Sequence, residues 1–282
     1  MKFLTYRRRE EPSRPGVLED TMIRTISTPT LGDYIALAPH ERIAWHSADP
    51  LIPLADVVLE APVLPPRNVF CVGRNYLEHA LEGARASGRE LQLPEVPTFF
   101  TKASTSIAAP DEELHLPAGV SSEYDFEAEL AVVMGARCKD VPEEEAPNVI
   151  FGYTALNDIT ARDLQRAHRQ WFKGKSLDQS CPLGPWIVTP EEIGNAQALN
   201  VSCYVNSQRK QHSNTSAMIF AIPRLIAELS KGMTLLPGDV IATGTPEGVG
   251  FARTPPEFLA DGDVLDVHVE RIGHLINTIR IG

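Results

Sequence analysis

Beyond residue 60 the apolar side chains alternate with polar ones, or crowd together, over short runs at 69–72, 126–134, 201–205, 240–243, 264–269 and 275–281. Runs this short and this rich in Val, Ile and Leu predict strands. Helical spacing is rarer, and 217–231 is its clearest case. The strands follow one another without a strand–helix–strand rhythm, so the pattern predicts a mixed α+β domain. Upstream, the alternating segments Met22-Ile23-Arg24-Thr25-Ile26 and Arg42-Ile43-Ala44-Trp45-His46, separated by proline-containing turns, predict a small strand-rich N-terminal lobe. The stretch Ala61-Pro62-Val63-Leu64-Pro65-Pro66 disfavours helix and breaks strand pairing. It divides the chain into a lobe of residues 1–64 and a larger domain of residues 65–282.

One strand is unusual. In Tyr124-Asp125-Phe126-Glu127-Ala128-Glu129-Leu130 the period-2 alternation puts Asp125, Glu127 and Glu129 on one face and the apolar residues on the other. Two readings stand: a half-buried strand with a solvated acidic face, or a partly buried carboxylate pair whose repulsion a cation must offset. With no His or Cys nearby, that cation would be a hard divalent ion, Mg²⁺, Mn²⁺ or Ca²⁺, rather than zinc. Downstream, Phe151–Asn157 reads as a strand that ends at Asp158, which is either a turn aspartate or a further oxygen ligand. Thr160 with Asp163 resembles a capping box opening a short helix that carries Arg162 and Gln165, an i, i+3 pair.

His79 and Glu82 are also i, i+3 neighbours if 76–82 is helical, so the carboxylate can orient the imidazole as half of a water-activating dyad. The polar, Gly-containing segment 83–97 that follows has the composition of a mobile lid. Near the end, Thr243-Gly244-Thr245-Pro246-Glu247-Gly248-Val249-Gly250 follows a strand but lacks the Gly-Lys-Ser/Thr of a phosphate loop and the strand–GxGxxG–helix setting of a dinucleotide fingerprint. Two readings stand: its amides and the Thr245 hydroxyl hold a small carboxylate, or the segment is a plain glycine turn between strands.

Charge and composition narrow the class. Among 282 residues, 26 Lys+Arg against 37 Asp+Glu give a net charge of −11, which repels nucleic acid and anionic membranes. The four cysteines form no CxxC or Cys/His cluster. The charged N-terminus has no secretory h-region, and no segment is long and apolar enough to span a bilayer, so a cytoplasmic protein is expected.

Taken in order, Gly73-Arg74-Asn75-Tyr76 with His79 and Glu82, Glu127-Ala128-Glu129, Asp158-Ile159-Thr160-Ala161-Arg162-Asp163-Leu164-Gln165, Lys173-Gly174-Lys175-Ser176-Leu177-Asp178 and Pro237-Gly238-Asp239 through Gly250 resemble the fumarylacetoacetate hydrolase family over about residues 65–282. The resemblance implies a mixed β-roll with peripheral helices, usually a homodimer. It implies Glu127, Glu129 and Asp158 as ligands of one Mg²⁺ or Mn²⁺, with Lys175 beside a metal-bound substrate oxygen. Arg162 and Gln165 would grip the substrate's carboxylate end, Thr245 would hydrogen-bond it from the opposite side, and Tyr76 would line the pocket. His79 with Glu82 matches the family's water-activating lid pair.

From this resemblance the expected substrate is a small 2-oxo acid, and the expected reaction is C–C hydrolysis of a 2,4-dioxo acid. Decarboxylation or isomerisation, of oxaloacetate or of unsaturated hydroxy-dicarboxylates from ring cleavage, is the alternative on the same site. A non-catalytic binding module is the distant one, since it would require decay of the metal or lysine positions.

Overall fold

The structure, a computed structural model, describes the whole chain apart from residues 10, 45–49, 87, 89, 91 and 92. The predicted strands are present as Val69–Gly73, Ala128–Met134, Asn200–Val205, Val240–Ala242, Val264–Val269 and Gly273–Ile281. The predicted helix is shorter than 217–231: it runs Ile222–Ser230. Pro223 sits in its first turn, the one place where its missing N–H costs nothing, and a start at 217 would put that proline in the helix interior.

Two sheets organise the molecule. The larger has 12 strands, and its central run is ordered Lys2–Arg7, Cys181–Val188, Ile150–Asn157, Ala128–Met134, Val240–Ala242, Val69–Gly73, Thr98–Lys102. The smaller is ordered Gln208–Asn214, Asn200–Val205, Val264–Val269, Gly273–Ile281, Glu113–Leu116. Pairing is mostly antiparallel, with parallel contacts such as Ile241↔Phe70 and Ile279↔Leu114. This is the mixed α+β, strand-dominated architecture that the sequence predicts.

The strand Ala128–Met134 is buried on both faces. Ala128, Leu130, Val132 and Met134 join a core shared with Val201, Val267 and Leu275 of the smaller sheet. Ala131 and Val133 join a second core with Phe3, Val17, Leu31 and Tyr34. The reading of a solvated acidic face is therefore wrong: the N-terminal segment covers Ala131 and Val133 on that side, and Asp125, Glu127 and Glu129 are themselves buried against partners from other segments. That segment belongs to the large sheet: Lys2 and Phe3 pair with Val188 and Ile187, and the rings of Phe3 and Phe151 pack at 5.0 Å.

The expected strand at 42–46 is not formed where it is described. Glu41–Ala44 is a 3-10 turn, and residues 45–49 lie outside the described residues. Arg42 accounts for the turn, donating to the carbonyls of Leu37 and Gly135. Among the described residues no helix is long and apolar enough to cross a membrane.

Candidate active site

The ladder between Ala128–Met134 and Ile150–Asn157 pairs Ala128 with Asn157 and Glu129 with Leu156. The residues just past its end, Glu127 and Asp158, are thereby brought together, and the Asp158 amide donates to the Glu127 carbonyl at 2.9 Å. Carboxylate oxygens of Glu127, Glu129 and Asp158 lie within 4.8 Å of one another, and all three residues are buried. Asp158 is thus part of a cluster rather than an isolated turn residue.

Three cations from distant segments meet this cluster. Lys175 Nζ donates to Glu127 Oε2 at 2.8 Å and to Asp158 Oδ2 at 2.7 Å. Arg162 Nη2 lies 2.6 Å from Glu127 Oε1. Lys102 Nζ lies 2.8 Å from Asp158 Oδ1, but its protons go to the carbonyls of Ile159 and Lys175 and to Ser180 Oγ. Asp158 Oδ1 therefore receives positive charge without a hydrogen bond.

The electrostatics divide the triad. Burial alone would raise the Glu127 carboxyl, but Lys175 and Arg162 outweigh it and hold it at about 2. Among the described residues Glu129 forms no ion pair. Burial, and then the charges of Asp158 and Glu127, push its carboxyl well above the usual range, against the charge of Lys175 and one hydrogen bond from the Gly244 amide at 2.7 Å.

A cavity of about 770 Å³ opens over this cluster. Glu127, Lys175, Arg162, Gln165, Thr245 and His79 all stand on its wall, joined by Phe100, Trp171 and Phe251. The expected dyad is formed: His79 lies on the helix Leu77–Ala86, and its Nδ1 is 2.9 Å from Glu82 Oε1. That helix takes in 83–86 of the expected lid, and residues 87, 89, 91 and 92 of it lie outside the described residues.

Arg162 and Gln165 bond to each other at 3.1 Å, but Arg162 is buried, unlike a solvated surface pair. Thr245 spends its hydroxyl proton on the Ala128 carbonyl at 3.0 Å and accepts from Gln211 Nε2 at 2.8 Å, so it offers the cavity a lone pair rather than a proton. Tyr76 is fully buried rather than on the cavity wall, and its hydroxyl has no hydrogen-bond partner among the described residues.

The capping box at Thr160 is absent. Ala161 is the N-cap of Arg162–Ala167, Thr160 pairs with Asp125 in a two-stranded ladder, and Asp163 accepts instead from Ser121 Oγ at 2.6 Å. Tertiary partners outcompete the local cap.

Three buried residues escaped the sequence reading: Lys102, Gln211 and the bonding role of Asp125. Lys102 is a single lysine in an otherwise ordinary strand, and nothing local marks it. Its loss would strand Asp158, two carbonyls and Ser180. Lys102→Met is therefore expected to lower stability by about 3–5 kcal/mol in denaturant unfolding, the range for breaking one side of a buried ion pair.

The donor set fits a hard divalent cation. Among the described residues it offers three buried carboxylates, including one oxygen without a hydrogen bond and one group without an ion-pair partner, and no soft ligand in the cluster. Metal binding is then expected to stabilise the fold by mass action, about 2.7 kcal/mol at a hundred times the dissociation constant, read as a rise in Tm on titration with Mn²⁺ and its reversal by chelator.

A carboxylate triad paired with lysine and arginine, whose Glu127 stands on the wall of a polar cavity together with His79, itself bonded to Glu82, defines a candidate enzyme site. Residues 68–280 match the fumarylacetoacetate (FAA) hydrolase C-terminal family, and the chain belongs to that family. It is 46% identical over 227 residues to the oxaloacetate tautomerase YisK of Bacillus subtilis (strain 168), covering 80% of this chain and 74% of that one. A fumarylacetoacetate hydrolase from Exiguobacterium antarcticum superposes with a TM-score of 0.86 at 39% identity, covering 100% of both chains. A 5-carboxymethyl-2-hydroxymuconate delta-isomerase from Mycobacterium smegmatis does so with a TM-score of 0.83 at 36% identity, again covering 100% of both.

Proposed function

We propose that this chain catalyses keto–enol tautomerisation of a 2-oxo dicarboxylic acid of the oxaloacetate type. The observation that carries the reading is that Lys175 and Glu127, whose carboxylate clusters with those of Glu129 and Asp158, stand on the wall of one cavity with His79, which Glu82 backs. The tautomerase relative and the isomerase neighbour favour proton transfer over the C–C hydrolysis expected from the sequence.

The residues divide the work by charge. Arg162 and Gln165 present N–H donors to a substrate carboxylate, a guanidinium being suited to bidentate binding of that group. Glu82 accepts from His79 Nδ1–H, which leaves the Nε2 lone pair free to take a proton from C3 of the substrate. As that C–H bond breaks, its electron pair forms the C2=C3 double bond and the 2-oxo oxygen gains the proton; the reverse sequence regenerates the ketone. Burial would lower the Lys175 ammonium, but Asp158 and Glu127 outweigh it and keep it charged, so Lys175 is a donor to the developing oxyanion and not the base. Mg²⁺ or Mn²⁺ held by Glu127, Glu129 and Asp158 would supply further positive charge against the enolate form.

The test follows oxaloacetate in D₂O with Mg²⁺. Enzyme-dependent deuterium entry at C3, faster than CO₂ release and faster than cleavage of any acylpyruvate, supports the reading. Acylpyruvate cleavage outrunning exchange would return the assignment to hydrolysis.

A further inference from the structure

We infer that Asp125 is a positioning residue that locks the anion-binding guanidinium of Arg162 and the His79–Glu82 dyad into one frame, through the turn at residues 248–251. The inference rests on the proposed role of Arg162 as the partner of a substrate carboxylate.

Asp125 is fully buried and is not on the cavity wall, so it touches no substrate. Its carboxylate nonetheless has every acceptor site in use. Oδ1 accepts from the amides of Phe126 at 2.9 Å and Gly250 at 2.7 Å. Oδ2 accepts from the Phe251 amide at 3.1 Å and from Arg162 Nε at 2.8 Å. A carboxylate offers about four lone-pair sites, and here two hold the 248–251 turn while a third holds the arginine. Gly250 permits the approach, since a Cβ there would lie 2.7 Å from Asp125 Oδ1. The Phe251 ring, placed by the same turn, lies 4.4 Å beneath the Arg162 guanidinium. Arg162 is thus fixed at Nε by Asp125, across its plane by Phe251, and at Nη1 by Gln165.

The same turn reaches the dyad from its other end. The Gly248 amide donates to both oxygens of Glu82, at 3.1 and 2.9 Å, and Glu82 holds His79. Arg253 clamps the Gly248 carbonyl from Nε at 3.3 Å and Nη2 at 3.1 Å. A continuous run of hydrogen bonds and backbone therefore joins Arg162, Asp125, the turn, Glu82 and His79 without passing through the carboxylate triad. A group bound at Arg162 and the base that must meet it share one rigid support, as catalytic groups held to a fraction of an ångström require.

The test combines Asp125→Asn, Glu82→Ala and their double variant. Asparagine keeps an acceptor for the Phe126 and Gly250 amides but sets an NH₂ group against Arg162 Nε and the Phe251 amide. Asp125→Asn is expected to raise KM for oxaloacetate and lower kcat, each roughly tenfold or more, while leaving the Mn²⁺ dissociation constant within about threefold. A merely structural defect would move metal binding as well. Because both variants act on one support, the loss of kcat/KM in the double variant is expected to fall well short of the product of the two single losses; independent, multiplicative losses would overturn the inference.

A second measurement needs no Asp125 variant. With Mn²⁺ present, oxalate should slow hydrogen exchange at 248–252 and at 77–86 together in the unaltered protein, and at 248–252 alone in Glu82→Ala. Equal protection of 77–86 in both proteins would refute the coupling. Oxalate does not turn over, so an unaltered protein without tautomerase activity overturns the functional reading and leaves this measurement valid.

Discussion

Glu129→Gln is expected to abolish tight Mn²⁺ binding and to cut kcat/KM by roughly 10³-fold, while the metal-free protein becomes no less stable. The loss follows from removing several kcal/mol of charge stabilisation at about 1.36 kcal/mol per decade. The stability half follows from the asymmetry of the triad. Glu127 and Asp158 are paired with Lys175, and their neutral variants leave that ammonium short of a partner. Glu129 breaks no ion pair when it is neutralised. A carboxyl whose folded value is raised costs stability wherever the unfolded chain would ionise it, so at neutral pH the amide removes a cost. Calorimetric titration with Mn²⁺ and thermal unfolding with chelator check the two halves. Unchanged metal affinity in Glu129→Gln would remove this residue from the ligand set.

His79→Ala should lower the rate of C3 deuterium exchange from oxaloacetate by roughly 10²–10⁴-fold, the range for losing a positioned general base, with Mn²⁺ affinity retained because the imidazole is not among the three clustered donors. Glu82→Gln should cost less than His79→Ala, since the amide still meets the Gly248 N–H and loses mainly the charge that sets the tautomer of His79. The ratio of activities in His79→Ala also separates the chemistries. If acylpyruvate cleavage collapses while exchange on oxaloacetate persists, the dyad serves water activation and the hydrolytic expectation is restored. Matched loss of exchange identifies it as the proton carrier.

Much of the candidate site was legible in the sequence because the residue types and their spacing are local. Glu127 and Glu129 stand two apart on a predicted strand, His79 and Glu82 three apart on a predicted helix, and both geometries are observed or nearly so. The strand begins at Ala128 rather than 126, since the chain leaves the ladder to place Glu127 beside Asp158. Lys102 and Gln211 were not legible. Lys102 earns its position by meeting Asp158 and the Lys175 carbonyl, and Gln211 by bridging Ala128 N at 2.9 Å and Thr245 Oγ1 at 2.8 Å. Their partners lie far away along the chain, so no window of sequence contains the interaction.

By itself the sequence determined several of the strands, the mixed α+β class, the family, and the identity of the clustered acidic residues, because periodicity and motif order are properties of neighbouring residues. The tertiary structure alone decided that the acidic strand is buried on both faces, that Thr160 surrenders its cap to a ladder with Asp125, that Thr245 spends its proton on Ala128, and that Glu129, among the described residues, is the carboxylate of the three without an ion pair. Each of these depends on what a distant segment places against a given atom. A hydroxyl has one proton to donate and an ammonium three, and which competing acceptors receive them is fixed only when the sheets pack.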